Sequence, residues 1–120
     1  MASIEIKSMD RPDERRTPEK TDMSVVHLGD ATVARLSVEP GWTWASCIKP
    51  VAGTESCQAA HLGYVVSGTI HITADDGAES DLEAGDIYRL EPGHHAEVVG
   101  DQPFVALEFE SKTAETYAKG

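Results

Sequence analysis

From Val25 onward, apolar and polar residues alternate in short runs separated by turn-forming residues. Residues 25–28 form a brief apolar run that ends at Gly29-Asp30. Residues 32–38 alternate throughout and stop at Pro40-Gly41, a pair that favours a turn. Residues 42–48 keep the same rhythm and are read as the next strand, with Trp42, Trp44, Ser46 and Ile48 on one face. Residues 49–56 carry Pro50 and Gly53 and are read as a loop. Further strands are predicted at 61–66, 70–73, 80–82, 87–90, 96–99 and 104–109, with Asp75-Asp76-Gly77 as a hairpin turn. Only residues 113–118 have helical character. Short strands with turns at regular spacing, and no helical crossovers, predict an all-β sandwich or barrel and exclude a parallel α/β sheet.

The organisation that follows is an N-terminal arm over residues 1–24, a β-barrel over 25–112 and a tail over 113–120. The arm opens with Ile4-Glu5-Ile6, and Pro12 and Pro18 discourage a long helix there. It is too polar to fold alone, so it either lies on the barrel or pairs with a neighbouring subunit.

Composition narrows the picture. The 120 residues suit one domain, and 40% hydrophobic content is enough for one core. A net charge of −11 argues against nucleic acid or an anionic membrane as partner, since both require a cationic surface. No apolar run is long enough to span a bilayer. Residues 1–20 are charged and contain no apolar signal core, which predicts a cytoplasmic protein. Cys47 and Cys57 are then expected to be free thiols, or one of them a ligand, rather than a structural bridge.

Two segments carry more specific information. Residues 57–68, Cys-Gln-Ala-Ala-His-Leu-Gly-Tyr-Val-Val-Ser-Gly, and residues 85–95, Gly-Asp-Ile-Tyr-Arg-Leu-Glu-Pro-Gly-His-His, resemble the two signature segments of the cupin family. The family pattern is roughly H-x-H-x-x-x-E-x-x-x-x-x-x-G followed by G-x-x-x-x-x-P-x-G-x-x-H. The resemblance covers about residues 31–109. It implies a double-stranded β-helix, a jelly-roll barrel with the N-terminal arm attached, and by family habit a homodimer. The arm and the flat apolar face of one sheet would make the dimer contact. The usual metal-binding set is rewritten. Anchored on Gly68, the family's glutamate position holds His61, and its two histidine positions hold Glu55 and Cys57. Anchored on Gly85 and Gly93, the last histidine position holds Ala96, just after His94 and His95.

A transition-metal site needs three or four donors converging on one point. His61 occupies a lumen-facing family position. Cys57 and Glu55 are one residue apart and would share a side in extended chain. Adjacent strand residues face opposite sides, so at most one of His94 and His95 is a ligand, and His94 shares the parity of Ala96. The candidate metal set is therefore Glu55, Cys57, His61 and His94. Sulfur and imidazole are soft enough to suit zinc, iron(II) or copper over magnesium or calcium. Cys57 can also be read as a buried space-filler, and His61 as a hydrogen-bonded core histidine.

A metal-free site is the competing chemistry, with His61 and Tyr88 as acid–base groups in an apolar lumen. If His61 faces inward, Tyr64 faces outward. Asp75, Asp76, Glu79 and Asp81 lack the glycine placement of a calcium loop and read as a solvated hairpin. The expected function is a small-molecule pocket in the lumen, with metal-assisted oxidation, isomerisation or lyase chemistry implied by the family. A non-catalytic ligand or metal sensor, and a barrel with a vestigial site, remain open beside it.

Overall fold

The computed structural model describes residues 3–109. The strands are β1 (Glu14–Arg16), β2 (Thr21–Leu28), β3 (Ala31–Val38), β4 (His61–Ser67), β5 (Thr69–Ala74), β6 (Glu79–Glu83), β7 (Ile87–Leu90), β8 (His94–Val99) and β9 (Phe104–Phe109). Two single-turn helices, α1 (Trp44–Cys47) and α2 (Lys49–Ala52), lie between β3 and β4. A six-stranded sheet runs β1-β2-β3-β9-β4-β7, and a three-stranded sheet runs β6-β5-β8. Every pairing is antiparallel. The two sheets face each other as a double-stranded β-helix that is not closed, because β6 and β7 are both sheet edges.

The period-two pattern sets the core. On β3, β4 and β9 the inward rows include Leu36, Val38, Val65, Phe104 and Ala106, all buried. Ile70 and Ile72 of β5 close the core from the smaller sheet. Trp42 is buried with its indole N–H donating to Thr21 Oγ1 at 2.9 Å, so its one polar atom is satisfied.

Residues 42–48 are not a strand. Their apolar alternation suggested one, but capping chemistry favours helix. Thr43 is the N-cap of α1 and its side chain accepts from the Ser46 N–H at 3.1 Å. Pro50 stands in the first turn of α2, and Gly53 ends it in the left-handed region at φ 77°. Trp42 and Trp44 therefore reach the core from an irregular segment and a helix rather than from one strand face. Cys47 lies in α1, and both cysteines are buried free thiols.

The N-terminal stretch docks on the barrel edge. β1 pairs with β2, and β2 begins at Thr21, inside the segment read as arm from its polarity. The Asp13 carboxylate accepts from Lys7 Nζ and from the His27 N–H, both at 2.8 Å. Ile4 and Ile6 remain exposed. The helix expected at residues 113–118 lies outside the described residues. Among the described residues no helix is long and apolar enough to cross a membrane.

Candidate metal centre

Three chain segments bring donor atoms together in the lumen. His61 opens β4 on its inward face. His94 opens β8 on the other sheet. Cys57 belongs to neither strand but pairs with His94 through its backbone. The Cys57 N–H donates to the His94 carbonyl at 2.8 Å, and the Gly93 N–H donates to the Cys57 carbonyl at 2.7 Å. That bridge fixes the thiol beside the His94 ring. One donor atom from each of Cys57, His61 and His94 lies within 4.8 Å of the others, and all three residues are buried. The Cys57 Sγ is 3.6 Å from His61 Nε2. The two imidazoles meet edge to face with centroids 5.0 Å apart.

His61 turns its Nε2 toward the thiol, and each ring has its Nδ1 engaged on an oxygen. His61 Nδ1 lies 2.9 and 3.0 Å from the two oxygens of Glu108, and an ionised carboxylate can only accept, so Nδ1 carries a proton. His94 Nδ1 lies 2.9 Å from the Glu91 carbonyl oxygen, which fixes its proton in the same way. Tyr88, on the inward face of β7, donates its hydroxyl to Glu108 Oε2 at 2.6 Å. The His61–Glu108 pair is buried on both sides.

The electrostatics follow from this packing. Burial pushes the Cys57 thiol up, but hydrogen bonds and charge from His61 and His94 reverse that and bring it to about 6. Burial pushes His61 down, and the Glu108 charge with the Cys57 contact overcomes it, raising the imidazole to about 10. Both shifts favour charge separation in the ion-free centre, a thiolate beside an imidazolium with Glu108 behind it.

Of the residues singled out from sequence, Cys57, His61 and His94 converge, and Tyr88 joins them through Glu108. Glu55 does not belong to the set. Its side chain is 93% exposed and pairs with Lys49 Nζ at 2.9 Å. Residues 54–56 form a bend, so Glu55 and Cys57 do not share a strand face. His95 turns to the outer face, with its ring edge to face against Trp44 at 5.5 Å. Tyr64 is 40% exposed on the outer side of β4. Glu108 escaped the sequence reading. Its signal was a charged residue at an inward position after Phe104 and Ala106 in an apolar strand.

The centre borders a small cavity of about 40 Å³, walled by Trp42, Trp44, Ile70, Phe104 and Tyr88. That is room for a few water-sized atoms. Trp44 has an indole N–H with no hydrogen-bond partner among the described residues. Ile72, Leu82 and Leu90 wall both this cavity and an open cleft of about 440 Å³ that His94 also lines. The cleft lies where β6 and β7 fail to pair, so the unclosed side of the barrel leads to the centre.

A barrel of two antiparallel sheets with donors gathered in its lumen defines a cupin. Residues 37–114 match the EutQ-like cupin domain, and the chain belongs to that family. A comparison with curated proteins found no match. Among solved structures, a Klebsiella pneumoniae subsp. pneumoniae protein with a double-stranded β-helix domain is 27% identical, with 89% of each chain covered and a TM-score of 0.57. A cupin 2 conserved barrel domain protein of Salinispora arenicola is 18% identical, covering 90% of this chain and 88% of its own, with a TM-score of 0.63. An S161A mutant of Bacillus subtilis oxalate decarboxylase is 23% identical with a TM-score of 0.57. It is covered over 81% of this chain, and the chain spans only 27% of its length. The chain likewise spans 30% of a Lactobacillus farciminis oxalate decarboxylase.

Proposed function

We propose that this chain binds one divalent transition metal, zinc, iron(II) or copper, through Cys57, His61 and His94, and acts on a small polar organic molecule in the lumen. The observation that carries the reading is the orientation of the two imidazoles. Each Nδ1–H is committed to an oxygen acceptor, Glu108 or the Glu91 carbonyl, the arrangement that orients a histidine to ligate a metal through Nε2. Soft sulfur and nitrogen donors fit such an ion, and three protein ligands are the number that leaves a position open for water or substrate. When bound, the metal would supply Lewis-acid polarisation of a substrate oxygen or of water.

The chain's own residues supply the rest. Glu108 holds the His61 tautomer and balances charge behind it. Tyr88 places a phenolic proton between the lumen and Glu108, a route for moving a proton at the substrate. The apolar walls exclude water, and the small cavity restricts what fits to a few heavy atoms unless the open side of the barrel admits more. This arrangement favours isomerisation or lyase chemistry, with a non-catalytic sensor as the outcome if no turnover is found. Oxalate decarboxylase and the polyketide cyclase RemF of Streptomyces resistomycificus share the fold, so the fold alone names no reaction. Two buried free thiols fit a reducing compartment, and we assign the chain to the cytoplasm.

A second reading rests on the same distances. Cys57 Sγ, His61 and Glu108 lie in series at 3.6 and 2.9 Å, the order of thiol, base and orienting acid in a nucleophilic site. Elemental analysis of protein purified without a metal-affinity tag separates the two. About one equivalent of transition metal, lost in His61→Ala, supports the metal centre. Metal-free protein with an alkylation-reactive Cys57 supports the nucleophile.

A further inference from the structure

Two tryptophans wall the cavity beside the centre, and their indole N–H groups differ. Trp42 donates to Thr21 Oγ1 at 2.9 Å. Trp44 is 1% exposed, and its Nε1–H meets no acceptor among the described residues. A buried indole N–H ordinarily finds a partner, because an unmet donor away from bulk water is costly. The other polar groups on the same wall engage one another: Cys57 with His61, His61 with Glu108, and Tyr88 with Glu108. Trp44 is held without spending its donor on a hydrogen bond. Thr43 caps the helical turn on which it stands, and the His95 ring meets the indole at 82° with centroids 5.5 Å apart.

We infer, on the reading of the lumen as a ligand pocket, that the Trp44 indole N–H is a binding donor kept for the sp2 oxygen of a small carbonyl or carboxylate compound. An indole nitrogen donates and cannot accept, so its partner must bring a lone pair. The described residues supply none there, so the occupant of the cavity does: a water at rest, a ligand oxygen once loaded. A compound with donor groups alone leaves the indole unmet. An alcohol brings a proton of its own into a cavity whose acceptors are already engaged. A carbonyl or carboxylate oxygen accepts without that addition. A volume of about 40 Å³ limits the compound to a few heavy atoms. Cys57 and His61 stand on the same wall, so a ligand of that size meets both the indole and the metal centre. An oxygen held by Trp44 then fixes how the rest of the ligand is presented to the centre, the part that one placed polar group plays in an apolar pocket.

Proton–nitrogen NMR of the isotope-labelled full chain tests this, with metal content measured on the same samples before and after chelator. Trp42 and Trp44 give separate indole signals, and the one missing from Trp44→Phe belongs to Trp44. Titration with acetate or with acetamide should move the Trp44 signal downfield and leave the Trp42 signal in place, since Trp42 is already paired. A larger effect of acetate marks an anionic ligand, and a larger effect of acetamide a neutral carbonyl compound. Isopropylammonium and 2-propanol, of the same size, should leave the Trp44 signal where it is. Trp44→Phe should weaken acetate binding by roughly tenfold, the worth of one hydrogen bond, as read from the ligand's own resonances. Should that variant fail to fold, the indole signal of the unaltered chain still decides. A Trp44 signal indifferent to both acetate and acetamide overturns the inference, and if metal is present the metal reading stands without it. An equal shift with isopropylammonium or 2-propanol overturns it as well, as does a signal that follows only the titration of His95. A shift with acetate in protein that holds no metal supports the donor and removes the metal reading instead.

Discussion

Gly63 and Tyr88 face each other across the β4–β7 pair, and a methyl group on Gly63 would fall 2.6 Å from the Tyr88 hydroxyl. The same methyl would meet the Leu107 carbonyl at 2.6 Å. The missing side chain at 63 is what lets the phenol lie flat and reach Glu108. Gly63→Ala is therefore expected to destabilise the fold by about 1–3 kcal/mol, the usual cost of overpacking. It should also displace the tyrosine from the carboxylate. Urea denaturation reads the first effect, and a shift in tyrosine absorbance reads the second. Unchanged stability would mean that β4 and β7 separate freely, against the register seen here.

Glu108→Gln keeps the shape of the side chain and removes its charge. The His61 tautomer is then less firmly set, and metal affinity should fall about 10–100-fold, as for other partners that orient a ligand. Competition against a chromophoric chelator measures it. Affinity within twofold of wild type would deny Glu108 an orienting role.

The ligand set makes sharper distinctions. Cys57→Ser and His94→Ala should each lower metal content well below one equivalent, whereas Glu55→Gln and His95→Ala should leave it unchanged. Glu55 is solvated and His95 packs on Trp44 outside the lumen. Elemental analysis of the four variants under identical purification decides it. Loss of metal in His95→Ala would mean the ring can reach the lumen.

Metal-free protein should show thiolate absorbance near neutral pH. The Cys57 thiol is held at about 6, below its ordinary value, so the anion persists above that pH and disappears as the pH falls through it. Absorbance near 240 nm should follow this curve, and Cys57→Ser should abolish it. In His61→Ala the midpoint should rise, because one of the two imidazoles that oppose the burial penalty is gone. A midpoint at the ordinary thiol value in the unaltered protein would contradict the geometry.

The strands were readable where alternation ran unbroken between turns. The structure places β7 and β9 at residues 87–90 and 104–109, where the pattern put them, and the Asp75-Asp76-Gly77 turn joins β5 to β6. The segment after Pro40 misled because one turn of helix is too short to show a period of 3.6. Trp42, Trp44, Ser46 and Ile48 then pass for a strand face. The correct signals were local: Thr43 as a cap, Pro50 in a first turn and Gly53 as a stop. At the site, parity worked for His61 and His94, which sit on strands, and failed for Glu55, which does not. Glu108 lies 47 residues from His61, and no spacing rule joins them.

The backbone bridge between Cys57 and His94 has a thermodynamic consequence. Residues 53–60 contain no strand or helix beyond that bridge, which the Ser56 hydroxyl reinforces by donating to Asp75 at 2.8 Å. His61 belongs to the large sheet and His94 to the small one. An ion gripped by all three would cross-link both sheets and this segment at once. Its free energy would then appear as resistance to unfolding, about 4 kcal/mol at a thousandfold excess over the dissociation constant. Amide exchange across residues 53–60 would slow in step with metal occupancy, so the loop that delivers the thiol would report whether the ion is there.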